Sequence, residues 1–540
     1  MKKIALSIAA LFVGAIGFAQ FNNSTVNQTG NGNASAVSQT GLSNESLVTQ
    51  QGNDNDSEVT QVGANNDSNV LQGPASNDNE SVVTQTGNDN ESFVWQDGDN
   101  NDSSVNQDGN NNDSYVDQWG DSNDSSVDQI GDNNTSEVYQ GYNGNNHTSI
   151  VVQTGDDNTS WVGQDGDSNF SEVYQTGDGN DSEVTQLGND NYSGVGQFGD
   201  DNDSNVFQLG DDNSSLVIQT GDDNDSDVDQ IGLDNESIVQ QIGNNNTSVV
   251  SQNGNDNFSF VLQEGDDNNS TVSQTGNDND AFAQQFGDSN NSSIVQLGND
   301  NLAFTLQVGD NNASTVSQTG NDNGSIVQQF GNSNSSFTTQ TGNDNVSWTD
   351  QIGDSNISVV NQSGNDNNSY VGQFGMFNGS AVNQTGNDNT SDVIQNGNAN
   401  NSLVNQTGND NSSDVDQIGN NNSSGVAQVG NDNESIVFQD GMLNNSSVLQ
   451  SGNNNYSEVE QIGMGNFSDV KQFGDDNWSD VNQSGNFNIS GVIQTGFMHT
   501  SEVNQVGNNN TSTVLQTGNG HDSLVNQIGN GNVSTVIQNN

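Results

Sequence analysis

The stretch Ser-Thr-Val-Ser-Gln-Thr-Gly-Asn-Asp-Asn-Gly-Ser-Ile-Val-Gln-Gln, residues 314–329, shows the pattern that decides the fold of this 540-residue chain. From Ser24 onward the sequence repeats an eleven-residue unit, Ser-x-Val-x-Gln-x-Gly-x-x-Asn-x. Forty-seven glutamines, from Gln28 to Gln538, hold one position of this unit without substitution. Two steps, after Gln72 and after Gln140, are two residues longer than the others. A polar residue repeated this strictly indicates architecture before chemistry.

The unit predicts a strand followed by a turn. In Ser-x-Val-x-Gln the fixed and free positions alternate, which is typical of a strand with one buried face. The Gly and Asn that follow favour left-handed backbone conformations. We call the four residues x-Gly-x-x, between the repeated glutamine and the asparagine position, the arc. Strands and arcs of this length leave no room for a helix.

A longer period of 22 residues covers two units. The sequence Gln-Thr-Gly-Asn-Asp-Asn starts at Gln274, Gln318, Gln340 and Gln384, whereas the glutamines between them precede other arcs. Each 22-residue turn therefore contains two strands, and successive turns stack so that strands of alternate units pair in parallel. The predicted fold is all-β: a parallel β-solenoid with two facing sheets and a cross-β, amyloid-like arrangement.

The fixed side chains are the candidate functional residues. Stacked amides donate to and accept from one another, which removes the cost of burying them unpaired and fixes the register of the strands. The valine position is replaced only by Ala, Ile or Thr, so the predicted interior is narrow. Three histidines occupy the asparagine position, where a ring with one donor and one acceptor can replace an amide. The representative ladder residues are Gln274, Gln296, Gln318, Gln340, Asn279, Asn301, Asn323, Asn345, Val272, Val316 and the histidines His147, His499 and His521.

The first residues differ from the rest of the chain. Lys2 and Lys3 precede an apolar run that ends in small residues, which predicts a secretory signal peptide over 1–19. A membrane anchor is the alternative, but the run is short for a bilayer. We therefore expect a signal peptide (1–19), a short segment (20–23) and repeats (24–540), with a secreted, cell-surface location.

Composition excludes several partners and chemistries. The chain has 71 Asp and Glu against 3 Lys and Arg, a net charge of −68. A chain this acidic lacks the attraction to phosphates that drives binding to nucleic acids, and no later segment is apolar enough for membrane insertion. Low hydrophobicity alone would suggest disorder, but the repeat gives each unit a valine to bury. The absence of cysteine excludes disulfides and thiol chemistry.

The motif Ser-x-Val-x-Gln-x-Gly-x-x-Asn-x-Ser-x-Val-x-Gln, as in residues 57–72 and 314–329, resembles the curlin repeat of bacterial curli subunits. The resemblance covers residues 24–540. It implies secreted subunits that stack as parallel β-solenoids into functional amyloid fibres, which support adhesion and the biofilm matrix. It also implies a nucleator and secretion factors as partners. Typical curli subunits carry only a handful of repeats, and a non-repetitive export segment precedes them; here only residues 20–23 stand between the predicted signal peptide and the repeats.

Other functions have weaker support in the sequence. No unique set of acid, base and nucleophile stands out from the repeats, so we expect no enzyme and no cofactor. Acidic arcs such as 221–225 carry oxygen ligands suited to calcium, yet the acids vary from arc to arc, which favours weak, diffuse binding of Ca²⁺. The leading hypothesis is a subunit of curli-like fibres that self-associates through the ends of its solenoid. The alternative is a monomeric β-solenoid adhesin that is stabilised by calcium or binds ice or another surface.

Overall fold

A computed structural model describes residues 21–74, 76–141 and 143–540. The predicted signal peptide lies outside these residues. The chain divides into two compact parts, the first ending at Gly179 and the second running from Asn180 to Asn540. From here on, first unit and second unit mean these two parts and not the eleven-residue repeat. Within the described residues every regular element is a strand, and no helix has the length and apolar character needed to cross a bilayer. The predicted all-β class is confirmed.

Each unit contains two sheets, formed by odd-numbered and even-numbered strands. In the first unit the odd strands are β1 (Asn23–Thr29), β3 (Glu45–Gln51), β5 (Asp67–Gln72), β7 (Glu91–Asp97), β9 (Asp113–Trp119), β11 (Thr135–Gln140) and β13 (Thr159–Asp165). The even strands are β2 (Ala34–Leu42), β4 (Asp56–Ala64), β6 (Glu80–Asn88), β8 (Asp102–Asp108), β10 (Asp124–Ile130), β12 (Thr148–Thr154) and β14 (Phe170–Thr176).

The second unit has the same organisation. Its odd strands are β15 (Asp181–Leu187), β17 (Asp203–Leu209), β19 (Asp225–Leu233), β21 (Thr247–Asn255), β23 (Asn269–Thr275), β25 (Asn291–Leu297), β27 (Ala313–Thr319), β29 (Ser335–Thr341), β31 (Ile357–Ser363), β33 (Gly379–Thr385), β35 (Asn401–Thr407), β37 (Ser423–Val429), β39 (Asn445–Ser451), β41 (Phe467–Phe473), β43 (Ile489–Phe497), β45 (Thr511–Asn519) and β47 (Val533–Asn539). Its even strands are β16 (Tyr192–Phe198), β18 (Ser214–Thr220), β20 (Glu236–Ile242), β22 (Phe258–Glu264), β24 (Asp280–Phe286), β26 (Leu302–Val308), β28 (Gly324–Phe330), β30 (Val346–Ile352), β32 (Asn368–Phe374), β34 (Thr390–Asn398), β36 (Ser412–Asn420), β38 (Glu434–Met442), β40 (Tyr456–Met464), β42 (Trp478–Asn486), β44 (Thr500–Val506) and β46 (Asp522–Ile528).

Strands two apart in the chain pair in parallel, with every fixed position opposite its counterpart. Between β23 and β25, for example, Val272 lies opposite Ile294 and Gln274 opposite Gln296. This is the predicted β-solenoid with turns of 22 residues. The longer step after Gln72 does not shift the register, because Gln72 still lies opposite Gln96 in β7. The two added residues are therefore taken up by the arc.

The interior of each unit is as narrow as the substitutions predict. Along the inner strands, Ser, Val and Gln face inward and are buried, while the residues between them remain at least partly exposed unless they are glycines such as Gly194 and Gly196. No Phe, Tyr or Trp side chain belongs to the buried core of the described residues. The rings lie outside and pair across neighbouring strands: Phe93 stacks on Tyr115 with centroids 5.0 Å apart, and Tyr456 stacks on Trp478 at 6.2 Å.

The arcs are built around two residues with positive φ. In the arc 297–300, Gly298 has φ +130° and Asp300 has φ 55°. A Cβ on Gly298 would lie 1.9 Å from the carbonyl oxygen of Gly320 in the next turn, so only glycine allows the arcs to stack at this spacing. The second position accepts Asp, Asn and Ser most readily, because short polar side chains tolerate the left-handed region.

Ala399 occupies this second position with φ 55° and is exposed. We expect Ala399→Asn to stabilise the surrounding turns by about 0.5–1 kcal/mol, because Asn costs less than Ala in left-handed backbone. Slower amide exchange in β34 and β36 would show the gain. Ala313→Asn is the matched control, since Ala313 lies in a strand opposite Asn291. A faster exchange in Ala399→Asn would contradict the assignment of strain to this position.

Candidate functional site

Ladders of glutamine amides run through the interior of each unit, with a break between Gln50 and Gln72 in the first. Gln296 Nε2 donates to Gln318 Oε1 at 3.0 Å, and Gln274 Nε2 donates to Gln296 Oε1 at 3.0 Å. The ladder continues from Gln318 to Gln340 at 2.9 Å. The same Nε2 of Gln296 also lies 2.9 Å from the carbonyl oxygen of Asp280, in the facing strand. Gln296 thus links successive turns and both sheets, and its buried amide is satisfied.

The asparagines form a second ladder with the opposite direction. Asn301 Nδ2 donates to Oδ1 of Asn279, the earlier turn, at 2.9 Å, and its backbone N–H donates to the same oxygen at 3.2 Å. Asn323 and Asn345 repeat this arrangement. Nδ2 of Asn301 also donates to the carbonyl oxygen of Gly320 at 2.9 Å. Glutamine Oε1 atoms accept from the earlier turn, whereas asparagine Oδ1 atoms accept from the later turn.

The predicted valines lie between the two ladders. Val272 and Val316 lie on either side of Ile294 in register, and all three are fully buried. Burial of such side chains is worth roughly 1.5–3 kcal/mol each. The valine file therefore supplies hydrophobic stabilisation, and the amide ladders supply register.

Two of the three histidines, His147 and His499, take over the acceptor role of asparagine. The N–H of Asn169 donates to Nδ1 of His147, and the N–H of His521 donates to Nδ1 of His499, both at 3.3 Å. The rings of His499 and His521 stack with centroids 5.3 Å apart. In both cases the ring nitrogen Nδ1 stands where the Oδ1 of asparagine accepts in other turns.

The arcs carry a third ladder that the sequence analysis did not predict. The N–H of Asn299, the residue after the arc glycine, donates to Oδ1 of Asn321 at 3.0 Å. The backbone N–H of Asp266 donates to Oδ1 of Asp288 in the same way, also at 3.0 Å. The signal was present as an excess of Asn and Asp after the glycine, which we interpreted only as turn chemistry.

The serines differ from the other inward-facing residues. Most of their hydroxyl groups, such as Oγ of Ser270, are buried and have no hydrogen-bond partner within the chain. Among the exceptions, Ser292 Oγ lies 2.7 Å from Oγ1 of Thr305. Ala281 and Ala303 occupy the same position and are equally buried. The serine position therefore requires a small side chain, and stacking does not depend on its hydroxyl.

The curlin-associated repeat model matches fourteen segments that together span more than half of the chain. These segments are 36–63, 76–109, 98–131, 120–155, 155–188, 183–210, 199–232, 243–276, 276–304, 298–331, 386–419, 408–441, 444–474 and 500–529. The chain belongs to the curlin-repeat family. No curated protein matches this curlin-repeat chain. The described residues of the curlin-repeat protein contain no group of three or more His, Cys, Asp or Glu side chains that could hold a metal ion.

A file of aspartates runs along one edge of the second unit of the curlin-repeat protein. Every odd strand from β15 to β37 is followed by an arc with an exposed aspartate at the second positive-φ position, from Asp190 to Asp432 at intervals of 22 residues. Neighbouring carboxylates are one strand spacing apart, about 4.8 Å, so they repel one another.

We expect the thermal midpoint of unfolding to rise between low and moderate NaCl concentration, because salt screens the repulsion between these aspartates. EDTA at constant ionic strength should leave the midpoint unchanged; a loss of β signal with EDTA would instead indicate bound calcium.

Several carboxylates on the outer faces of the curlin-repeat protein have raised pKa values. Burial, with the nearby Asp414 and Asp416, raises the pKa of Asp392 to about 6. Burial, with Glu458 and Glu502, raises the pKa of Asp480 to about 6. A carboxyl group whose pKa is higher in the folded than in the unfolded chain binds more protons when folded. The stability of the second unit should therefore increase as the pH falls through about 6 toward 4.

We expect the thermal midpoint of the second unit to rise by several degrees from pH 7.5 to pH 5. Circular dichroism melts at each pH measure it. The double variant Asp392→Asn, Asp480→Asn should show a smaller rise, because both groups are then neutral throughout. In the first unit, burial lowers the pKa of His147. The contribution of His147 to the stability of the fold therefore has the opposite sign, and it is lost as the pH falls below about 6.5. A midpoint for the second unit that falls between pH 7.5 and 5 would contradict the assignment.

Proposed function

We propose that the protein is a secreted structural subunit of extracellular curli-like amyloid fibres that serve adhesion and the biofilm matrix. The observation that carries this proposal is the open-ended character of the ladders. Each turn offers glutamine donors and asparagine acceptors toward the later side, and the complementary groups toward the earlier side. A turn therefore matches the next turn whether that turn belongs to the same chain or to another copy.

The outermost described strands show what an unmatched turn exposes. Val26 in β1 is 44% exposed, whereas Val48, opposite it in β3, is fully buried. In β47 the inward-facing residues Val536 and Gln538 are only partly buried, although Gln516 still donates to Gln538 at 2.9 Å. Covering these groups with the first turn of another copy would bury apolar surface and complete both amide ladders.

The proposal includes further expectations from the family. Export through the predicted signal peptide would place the protein outside the cell, and a nucleator and secretion factors would be its partners. The absence of cysteine suits an exported chain that folds without disulfides. Weak, diffuse binding of cations along the acidic edge would lower the repulsion between copies.

Seeded growth tests the proposal. The purified protein lacking residues 1–19 should form fibres that enhance thioflavin fluorescence and give a meridional reflection near 4.7 Å. Val536→Asp places a charge in the interior of the outermost turn and should slow elongation at least about ten-fold, since a buried charge is costly. Ile537→Asp is the matched control, because Ile537 is adjacent but faces outward and is 61% exposed. Equal growth of the two variants, or a parent protein that remains monomeric, would refute the proposal.

A further inference from the structure

The two edges of the second unit carry different arcs, because arcs after even strands lie on one edge and arcs after odd strands lie on the other. On the even-strand edge the charge changes abruptly. The eight arcs that follow β16 to β30 contain ten Asp or Glu residues, whereas the eight arcs that follow β32 to β46 contain only Asp440. We call these last eight arcs, which begin at Phe374 and end at Gly531, the neutral edge.

Large apolar side chains replace the missing charges. On the neutral edge Phe377 is 65% exposed, Leu443 is 55% exposed and Phe487 is 49% exposed. Met442 and Met464, opposite each other in β38 and β40, are also exposed. Together with Leu443 and Phe487 they form a row over three successive turns. Contiguous apolar surface of this kind marks an interaction site in a protein that is otherwise strongly polar.

The backbone gives a second, independent observation. Phe377, Leu443 and Phe487 have φ values of 60°, 58° and 56°, a conformation that bulky side chains rarely adopt. Asp, Asn or Ser occupies this position in most other arcs, without that strain. Three strained residues recur along the neutral edge, against Met498 on the opposite edge, and such recurrence indicates a function that offsets their cost to folding. Pairing is also longer here, since β34, β36, β38, β40 and β42 each extend through the arc glycine.

We propose that the neutral edge binds the same edge of a second copy of this chain, side by side. Two features favour a second copy over another partner. A chain with a net charge of −68 meets strong repulsion from its own copy along acidic surfaces, and the neutral edge removes most of that repulsion. The apolar groups also recur once per turn, a spacing that a second copy reproduces and against which its row can interdigitate.

This lateral contact is separate from growth through the ends of the solenoid. It joins copies across their edges, whereas the amide ladders join turns along the axis. The contact is isologous, because the same patch is used on both copies. Leu443 lies near the middle of the neutral edge, so it meets the partner's Leu443 region whether the two copies run in the same or in opposite directions.

Cysteine cross-linking tests the lateral contact, since the chain has no cysteine of its own. In the protein lacking residues 1–19, Leu443→Cys should give covalent dimers under mild oxidation or with a short bis-maleimide. The matched control is Asp410→Cys, which is exposed, has φ 56° and lies on the opposite edge, between Asp388 and Asp432. We expect at least about ten-fold more dimer from Leu443→Cys, because the neutral edge lacks the charge repulsion that the aspartate file sets up between copies. Equal dimer from both variants, or none from Leu443→Cys, would overturn the proposal.

A charge variant gives the second readout. Met442→Asp, Leu443→Asp, Met464→Asp and Phe487→Asp together make the neutral edge acidic. The fold should be retained, because aspartate is common in other arcs. Lateral pairs seen by electron microscopy and sedimentation should be lost, whereas Phe497→Asp with Met498→Asp on the opposite edge should leave them unchanged. The double variant Val536→Asp, Leu443→Cys should still form covalent dimers, although its growth through the ends is slowed. A failure of end-to-end growth is therefore distinguishable from a failure of lateral pairing. Pairs that persist in the fourfold variant would also overturn the proposal.

Discussion

Gly298→Ala should disrupt the solenoid severely, although it adds only one methyl group. The added Cβ would lie 1.9 Å from the carbonyl oxygen of Gly320, and the φ of +130° is itself unfavourable for alanine. Relief requires the two turns to separate, which breaks the ladders on both sides of the arc. We expect a loss of at least about 4–5 kcal/mol in the stability of the neighbouring turns, the range seen for severe backbone and packing defects.

Hydrogen exchange measured along the chain is the suitable readout, because long repeat arrays do not unfold in one step. Amides of β25 and β27 should exchange far faster in Gly298→Ala than in the parent. Gly425→Ala provides the control: Gly425 lies in β37 with nothing within 4 Å of its added Cβ and with an ordinary φ. Similar exchange in the two variants would show that arc spacing does not limit the fold.

Gln274→Leu is expected to have the second-largest effect. Gln274 Nε2 donates to Gln296 Oε1 at 3.0 Å and to the carbonyl oxygens of Phe258 and Asn279 at 2.9 and 2.8 Å. Its own Oε1 accepts from Gln252 Nε2 at 3.0 Å. Leucine keeps the approximate volume but removes all four contacts and leaves their partners buried. At about 1 kcal/mol for each contact, the expected loss is about 4 kcal/mol.

Ser270→Ala separates the amide effect from burial, because Ser270 lies in the same strand and on the same face as Gln274. Its hydroxyl has no partner, so the change should alter stability by less than about 0.5 kcal/mol. Amide exchange in β21, β23 and β25 compares the two variants directly. A loss in Ser270→Ala as large as that in Gln274→Leu would mean that inward-facing polar groups act through packing alone.

The fold was predictable from the sequence because every repeat carries the same pattern of fixed and free residues. The period of two in Ser-x-Val-x-Gln assigns the buried face, and the period of 22 assigns the strand partners, so register follows without any structure. The small replacements Ala283 and Thr305 correctly predicted a narrow interior. The amides of Gln274 and Asn279 could be placed inside from spacing alone, but their donors and acceptors could not. Opposite directions of donation depend on side-chain rotamers, which spacing does not specify.

Other features required the structure for physical reasons. The arc ladder from Asn299 to Asn321 was missed because Asn and Asp favour turns with or without a partner in the next turn. The sequence also did not show that the hydroxyl of Ser270 is buried without a partner. The neutral edge became visible only when arcs were sorted by the sheet that precedes them. Sequence order alternates the two edges and so hides the change of charge after Ile352.

The opposite directions of the two amide ladders have a consequence for length. Each side-chain amide is a dipole, and a file of parallel amides would add up along the axis as peptide dipoles do in a helix. In the glutamine ladder each Oε1 accepts from the earlier turn, whereas in the asparagine ladder each Oδ1 accepts from the later turn. The two files of amide carbonyls therefore point in opposite directions, and their dipoles offset one another as turns are added. The ladders themselves thus add no electrostatic penalty that grows with the number of turns.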